Sequence, residues 1–287
     1  MKELLILSGK GGTGKTTIAS SFIKLSNVKA YADCDIDAPN LHLIMNQKVE
    51  AEHEDYYGLP KARIDTKLCI RCDICRQKCR FDAINVKDKK YEVNQFGCEG
   101  CGVCEMVCSV NAINLYPAIA GDLQLYADDT VFSTAQLKMG SGNSGLLVTE
   151  VKKAMKVAGK EVDWAIIDGS PGIGCPVIAS LSGADLTLIV SEPSISGISD
   201  MERIIKTAKG LGTKIAVCIN KFDTNMDNTH RIERYCYDNN IPLVGKIPYD
   251  YKAVQATNQG KTIVDIDCDA GRAIREVYKN VQRLFIS

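Results

Sequence analysis

Short apolar runs recur along the chain, and glycine, an acidic residue or asparagine follows each within two residues. Residues 4–7, 164–167 and 215–219 are such runs. Continuous apolar runs of this length are typical of parallel strands buried on both faces. Amphipathic stretches between them, beginning with residues 16 to about 24, predict helices. The pattern therefore predicts an α/β fold whose mostly parallel sheet is covered on both faces, with its ligand at the carboxyl ends of the strands.

The last amphipathic segment covers residues 271 to about 285. Its apolar positions share one face: Ile274, Val277, Val281 and Leu284. Its basic residues lie elsewhere: Arg272, Arg275, Lys279 and Arg283. Packing against the sheet is the favoured interpretation, and peripheral contact with a membrane is the alternative.

Composition narrows the class of protein. The chain has 287 residues, of which 45% are hydrophobic, so it can bury one large core or a main core plus a small module. Its 35 basic residues balance 35 acidic ones, which argues against a nucleic-acid partner. No apolar stretch approaches the roughly 20 residues that span a bilayer. Since the chain runs straight into a strand without a signal peptide, we expect a cytoplasmic protein, where clustered cysteines indicate metal ligands.

The first apolar run leads into a phosphate-binding loop. Residues 9–16, GKGGTGKT, match G-x-x-x-x-G-K-[ST] without a mismatch. Lys15 is expected to contact the β- and γ-phosphates of ATP or ADP, and Thr16 to hold Mg²⁺. The candidate nucleotide-binding residues are Gly11, Gly12, Thr13, Gly14, Lys15, Thr16 and Thr17.

Eight of the thirteen cysteines form two copies of one motif. The first run is Cys69, Cys72, Cys75 and Cys79, and the second is Cys98, Cys101, Cys104 and Cys108. C-x₂-C-x₂-C-x₃-C is the bacterial ferredoxin run, in which the fourth cysteine ligates the other [4Fe–4S] cluster. One cluster is thus expected on Cys69, Cys72, Cys75 and Cys108, and the other on Cys98, Cys101, Cys104 and Cys79.

Two features qualify this interpretation. Paired C-x-x-C segments also build zinc sites, so zinc is the alternative metal. Arg80 and Ser109 occupy the positions where proline usually follows the fourth cysteine. This change affects the local backbone turn and the reduction potential of the cluster, and it leaves the cysteine ligands intact.

The phosphate loop carries a second lysine, Lys10, and this form resembles the deviant loop of the MinD/ParA/nitrogenase iron protein ATPases. The resemblance implies that Lys10 reaches the partner's nucleotide in an ATP-bound homodimer. Residues 32–41 resemble switch I of that family, with Asp35 orienting the attacking water. Asp168 matches the Walker B aspartate, so Asp35 and Asp168 join Thr16 as expected partners of Mg²⁺ and its water. Lys10, Lys15 and Asp35 are the candidate catalytic residues.

Other segments agree with the resemblance less specifically. Asn220 and Pro248 occupy positions that flank the adenine in this family. Residues 137–148 look like the family's glycine- and serine-rich loop, either at a partner surface or simply leading into a helix. Cys175 has the spacing from Asp168 at which the nitrogenase iron protein ligates a bridging cluster. Because no cysteine lies between Cys108 and Cys175, the second ligand of such a site is missing, and a buried structural cysteine is the favoured interpretation.

The cysteine motif interrupts the ATPase pattern. We expect a discontinuous P-loop ATPase domain at 1–59 and 117–287, and a small α+β bacterial-type ferredoxin domain inserted at 60–116. The acidic segment at 50–55, with residues 58–60, is interpreted as the linker leading into the insert.

Together these features predict an ATPase, slow until dimerisation or a partner stimulates it, with ATP/ADP, Mg²⁺ and two [4Fe–4S] clusters as cofactors. The leading hypothesis is that nucleotide-driven dimer switching gates electron transfer to a protein partner that the sequence does not identify. One alternative is an ATP-dependent carrier that delivers clusters or metal to an accepting protein. The other is a redox-sensing regulatory switch of the MinD type.

Overall fold

The computed structural model describes residues 1–286. The strands are β1 (Lys2–Ser8), β2 (Ala30–Asp33), β3 (Glu52–Tyr57), β4 (Lys61–Ile64), β5 (Ile84–Lys87), β6 (Lys90–Val93), β7 (Ile113–Tyr116), β8 (Ile119–Ala127), β9 (Val131–Leu137), β10 (Trp164–Asp168), β11 (Leu186–Ser191), β12 (Lys214–Asn220) and β13 (Leu243–Ile247). The α-helices are α1 (Lys15–Ser26), α2 (Leu41–Ile44), α3 (Ile74–Lys78), α4 (Val103–Met106), α5 (Ser144–Ala158), α6 (Cys175–Leu181), α7 (Ile195–Gly210), α8 (Met226–Asp238), α9 (Tyr251–Asn258) and α10 (Asp269–Ile286). Short 3₁₀ turns cover Phe222–Thr224 and Ile263–Asp265.

A nine-stranded sheet runs through the molecule in the order β13-β12-β11-β1-β10-β2-β9-β8-β3. From β13 to β9 every neighbouring pair is parallel, as the apolar runs predict. β8 and β3 extend this edge in antiparallel fashion. The nucleotide-binding motifs follow β1, β2 and β10, which lie side by side in the centre of the sheet.

Helices cover both faces of the sheet. Met155 of α5, Met201 of α7 and Ile232 of α8 belong to one core. Phe22 of α1 and Val277 of α10 belong to the core on the opposite face. The apolar face of α10 therefore packs on the sheet, as favoured from its sequence. None of the helices described within residues 1–286 is long and apolar enough to cross a membrane.

The acidic segment that we interpreted as a linker lies largely in a strand, so that interpretation was wrong for residues 52–55. β3 pairs with β8, with Glu52 opposite Leu125 and Glu54 opposite Leu123. β3 is the outermost strand, and its acidic side chains are exposed. Charged side chains are well tolerated on an edge strand, where they also discourage pairing with another chain. The linker reduces to a few residues between β3 and β4.

Residues between β3 and β8 form a small separate unit. Its first strand, β4, pairs with its last strand, β7, so that Lys61 lies opposite Tyr116 and the chain enters and leaves at one place. β5 and β6 form a hairpin. A small core of its own fills the unit: Ala62, Ile64, Cys75, Ala83, Ile84, Cys98 and Ile113. We call this unit, residues 60–116, the insert.

Candidate nucleotide and cysteine sites

The phosphate loop lies between β1 and α1, and its polar side chains bond to Asp168 at the end of β10. Lys15 Nζ donates to Asp168 Oδ1 at 2.7 Å, and Thr16 Oγ1 donates to Asp168 Oδ2 at 2.7 Å. Burial alone would lower the pKa of Lys15, but Asp168 and Asp33 raise it above its ordinary value. The lysine is thus held as a cation at the place where the loop would receive phosphate.

Two aspartates from the end of β2 face the same lysine. Asp35 Oδ2 lies 4.0 Å from Lys15 Nζ, and burial raises the pKa of Asp35. Asp33 is fully buried and accepts the backbone N–H groups of Asn40 and Leu41, both at 3.0 Å. Burial, followed by the charge of Asp168, raises the pKa of Asp33 to about 7. Asp33 therefore fixes the backbone that presents Asp35, a positioning role that the residue pattern does not predict.

Lys10 contacts the end of β11 within its own chain. Its Nζ lies 2.5 Å from Glu192 Oε1 and 3.4 Å from the hydroxyl of Ser194. Lys221 Nζ donates to the carbonyl of Gly12 at 2.9 Å and lies 3.8 Å from the same glutamate. Glu192 was not predicted. Its signal was its place just after β11, because the carboxyl ends of neighbouring parallel strands share an edge.

A cavity of about 240 Å³ opens beside the phosphate loop. Asn220 and Pro248 both line it, together with Gly14, Thr17 and Tyr249. Asn220 Nδ2 also donates to the carbonyl of Thr13 at 2.7 Å, which ties β12 to the loop. The two residues suggested for base recognition therefore lie together, next to the loop that would hold the phosphates.

The eight cysteines of the two runs surround two separate cavities in the insert. One cavity is lined by Cys69, Cys72, Cys75 and Cys108. The other is lined by Cys79, Cys98, Cys101 and Cys104. Each cavity thus takes three thiols from one run and the fourth from the other run. Ile70, Ile74 and Ile113 help to wall the first cavity, and Phe81, Ile84 and Leu115 the second.

The donor set of these cavities suits soft metals. Burial raises the pKa of Cys75, and it raises that of Cys104 to about 11, so thiolates there need a positive charge nearby. The amide of Ala112 donates to Sγ of Cys108 at 3.2 Å, a type of bond that tunes cluster sulfurs. Among residues 1–286, no three His, Cys, Asp or Glu side chains are grouped closely enough for a single metal ion.

The glycine-rich loop between β9 and α5 connects the insert to the ATPase sheet. Gly140 has φ +72° and passes so close to Phe96 that a Cβ there would lie 2.9 Å from Cδ1 of the ring. A Cβ on Gly142 would lie 3.1 Å from Oε2 of Glu99. At the start of α5, a Cβ on Gly145 would lie 3.1 Å from the carbonyl oxygen of Cys175. The loop therefore contacts the second cysteine run on one side and the segment after Asp168 on the other.

Cys175 begins α6, and its side chain is exposed. The favoured interpretation of a buried structural cysteine was therefore wrong at this position. Cys34, Cys218, Cys236 and Cys268 are buried.

The sheet order, the loop and the aspartates define a P-loop nucleotide-binding protein. The family model of the CobQ/CobB/MinD/ParA nucleotide-binding domain matches residues 4–264, and the chain belongs to this family. MJ0578, an uncharacterised protein of Methanocaldococcus jannaschii, is 32% identical over 98% of this chain and 96% of its own length. The septum site-determining protein MinD of Bacillus subtilis is 24% identical over 98% of this chain and 88% of its own.

Solved structures show the same fold. MinD of Pyrococcus horikoshii, complexed with Mg-ADP, aligns with a TM-score of 0.59 and 18% identity over 99% of this chain and 96% of that one. MinD in a MinC:MinD complex from Aquifex aeolicus aligns with a TM-score of 0.55 and 18% identity over the same shares.

Proposed function

We propose that this protein is an ATPase in which nucleotide-driven dimer switching is coupled to two [4Fe–4S] clusters in the insert and gates electron transfer to a partner protein. The single observation that carries the coupling is the glycine-rich loop at 138–143. It contacts Phe96 and Glu99 beside the second cavity, and it leads directly into the helix turn that contacts Cys175. A change after Asp168 thus has a short packed route to one cysteine cavity.

The nucleotide half of the proposal rests on the bonded set of Lys15, Thr16 and Asp168. A Mg-nucleotide would replace the contacts of Lys15 and Thr16 with Asp168, with Thr16 and Asp168 on the Mg²⁺ side and Asp35 beside the attacking water. The MinD of P. horikoshii, which has the same fold, is solved in complex with Mg-ADP, and this supports a Mg-nucleotide as the ligand of the present chain. Lys10 would leave Glu192 and reach the nucleotide of a second copy in the ATP state.

The cluster half of the proposal rests on the grouping of eight thiols in two largely apolar cavities. When bound, each cluster supplies a one-electron redox centre. The protein's part is to hold the thiolates, exclude water with the apolar walls and adjust the sulfurs through amide bonds such as that from Ala112. Nucleotide state would act on this environment through Gly140.

The test is a potentiometric titration of anaerobically prepared protein, followed by electron paramagnetic resonance, without nucleotide, with MgADP and with MgATP. We expect at least one cluster to shift by tens of millivolts, where about 59 mV is a factor of ten for a one-electron couple. Identical potentials in all three states would overturn the coupling.

A matched pair of glycine substitutions tests the route. Gly140→Ala adds a methyl group against Phe96, whereas Gly212→Ala imposes a similar backbone strain, at φ +73°, where nothing lies within 4 Å. We expect Gly140→Ala to reduce the nucleotide-dependent shift with ATP affinity unchanged, and Gly212→Ala to leave the shift intact. Nucleotide-dependent iron release without any shift would instead favour the carrier hypothesis.

A further inference from the structure

The first cysteine run carries an excess of positive charge that the rest of the protein leaves unpaired. Residues 66–80 contain five basic residues and one acidic residue, Asp73. Asp73 is already engaged, since Arg76 donates to both of its oxygens at 2.7 Å. Four other exposed cations have no ion pair among the described residues: Lys67, Arg71, Lys78 and Arg80. Only Asp65 and Asp82 flank the run on either side.

The second run, at the same positions of the repeat, has the opposite character. Residues 95–109 contain no lysine or arginine and two acids, Glu99 and Glu105. Segments of the ATPase domain also lie against this run. A Cβ on Gly100 would lie 3.4 Å from Cβ of Leu59, and Gly140 abuts Phe96. The two runs are therefore alike in their cysteines and opposite in charge.

Two of the four cations, Lys67 and Arg71, lie next to the cysteines of the first cavity, whereas Lys78 and Arg80 flank Cys79, which lines the second. Cys72, a member of the first cavity, is exposed, and Arg71 beside it lines the same cavity. Exposed apolar side chains complete the rim, with Ile70 60% and Ile74 41% accessible. An apolar centre ringed by charge of one sign is the usual form of a transient protein-docking surface. Cys101 is exposed as well, so charge rather than access distinguishes the two faces.

We propose that the face of the first run is the docking surface for a small acidic one-electron carrier protein. This inference rests on the proposed function, because it requires a cluster in the first cavity. In the step itself the reduced carrier is oxidised by one electron and the cluster is reduced by one electron. No bond forms or breaks and no proton moves. The cations of the rim steer the acidic carrier so that its redox centre approaches Cys72.

The four cations are also too few and too local for a polyanion. The chain as a whole has no net charge, and β3 presents acidic residues on the ATPase edge. A nucleic acid or an anionic membrane needs a wider basic surface than four cations in one run provide, whereas a small carrier does not. Binding to either polyanion is therefore an outcome that would count against the proposal.

The test is stopped-flow measurement of anaerobic electron exchange with a plant-type [2Fe–2S] ferredoxin, an acidic carrier. The variant is Lys67→Glu/Arg71→Glu. The matched control, Lys160→Glu/Lys209→Glu, makes the same change of net charge on two exposed lysines of the ATPase domain. At about 0.01 M ionic strength, where charges act over about 30 Å, we expect the first variant to exchange at least about tenfold more slowly than wild type. At about 1 M, where the range falls to about 3 Å, the difference should nearly vanish.

A basic carrier, cytochrome c, supplies the converse measurement. Electron transfer to it from the reduced protein should become faster in Lys67→Glu/Arg71→Glu and stay unchanged in the control. If Lys67→Glu/Arg71→Glu keeps its full iron content and exchanges electrons at the wild-type rate, the docking surface is wrong and the proposed function still stands. Protein that binds no clusters would overturn the proposed function along with it. Salt-sensitive binding to anionic vesicles or duplex DNA, lost in the variant while electron exchange is unaffected, would assign the cations to a polyanion instead.

Discussion

The nucleotide site and the insert are held together by different means. At the nucleotide site the functional side chains bond to one another, as Lys15 and Thr16 at the start of α1 do to Asp168 at the end of β10, and β1 and β10 are central strands of a large sheet. In the insert the thiols surround cavities, and two of them, Cys75 and Cys98, belong to a small core. We therefore expect the nucleotide site to form without its ligand, and the insert to depend on its ligand for its fold.

If the insert holds the proposed clusters, removal of iron should separate the two regions most strongly. We expect chelation to unfold residues 60–116, because a core of this size rarely sustains a fold without metal. Hydrogen exchange measured by mass spectrometry should then be fast throughout the insert and slow, as before, in β1 and β10. Nucleotide binding should survive. Continued protection of the insert after complete iron loss would show that its apolar core suffices.

The exchange of ligands between the two runs can be tested with pairs of cysteine substitutions. Cys69→Ser and Cys108→Ser lie in the same cavity, so the double variant should lose about as much iron as either single variant, roughly half of the total. Cys98→Ser combined with Cys108→Ser should lose nearly all of it. Cys175→Ser is the control and should keep full iron. If instead the pair from different cavities behaves as one site, the cysteines are not shared between the runs.

The same contrast separates what the sequence predicts from what it leaves open. β1, β10 and the loop at 9–16 follow from apolar runs and a spaced motif, because local pattern alone determines them. The edge strand β3 cannot be predicted in this way, because its acidic residues look like a solvated linker in the sequence. Only its pairing with β8 identifies it as a strand. Contacts between segments that are far apart in the sequence cannot be predicted from the local pattern either. Phe96 against Gly140 and Lys10 against Glu192 depend on how the insert and the strand ends meet in space.

Within the nucleotide site, Asp35→Asn tests whether Asp35 contributes to ATP hydrolysis without contributing to nucleotide binding. Asparagine keeps the size of the side chain and loses the charge that would orient and activate water. We expect ATP hydrolysis to fall about 10²-fold or more, with nucleotide affinity within a fewfold of wild type. Asp37→Asn, an exposed neighbour in the same turn, is the control and should retain activity. Equal losses in both variants would assign the effect to the charge of the turn as a whole. Measurements of turnover and of binding on the same preparations distinguish these outcomes.

The ATPase domain contains a buried ion-pair group at the amino end of β1. Glu3 is fully buried, with its carboxylate 2.9 Å from Lys152 Nζ and 2.6 Å from Lys156 Nζ. Lys152 is also buried and donates to the carbonyls of Ser180 and Ser182, so it joins β1, α5 and the end of α6. The residue pattern does not predict this buried group, because a charged residue next to an apolar run is normally exposed.

Glu3→Ala should therefore lower the free energy of unfolding of the ATPase domain by about 3 kcal/mol, since it leaves the ammonium of Lys152 buried without its counter-charge. Lys156→Ala removes the half-exposed partner and should cost about 1 kcal/mol or less. Urea denaturation followed by the single tryptophan, Trp164 on β10, reports on this domain directly. A loss in Glu3→Ala as small as that in Lys156→Ala would mean that water or the two carbonyls already satisfy Lys152. Because Glu3 lies at the opposite end of β1 from the phosphate loop, the iron content of the insert should be unchanged in both variants, which again separates the two regions.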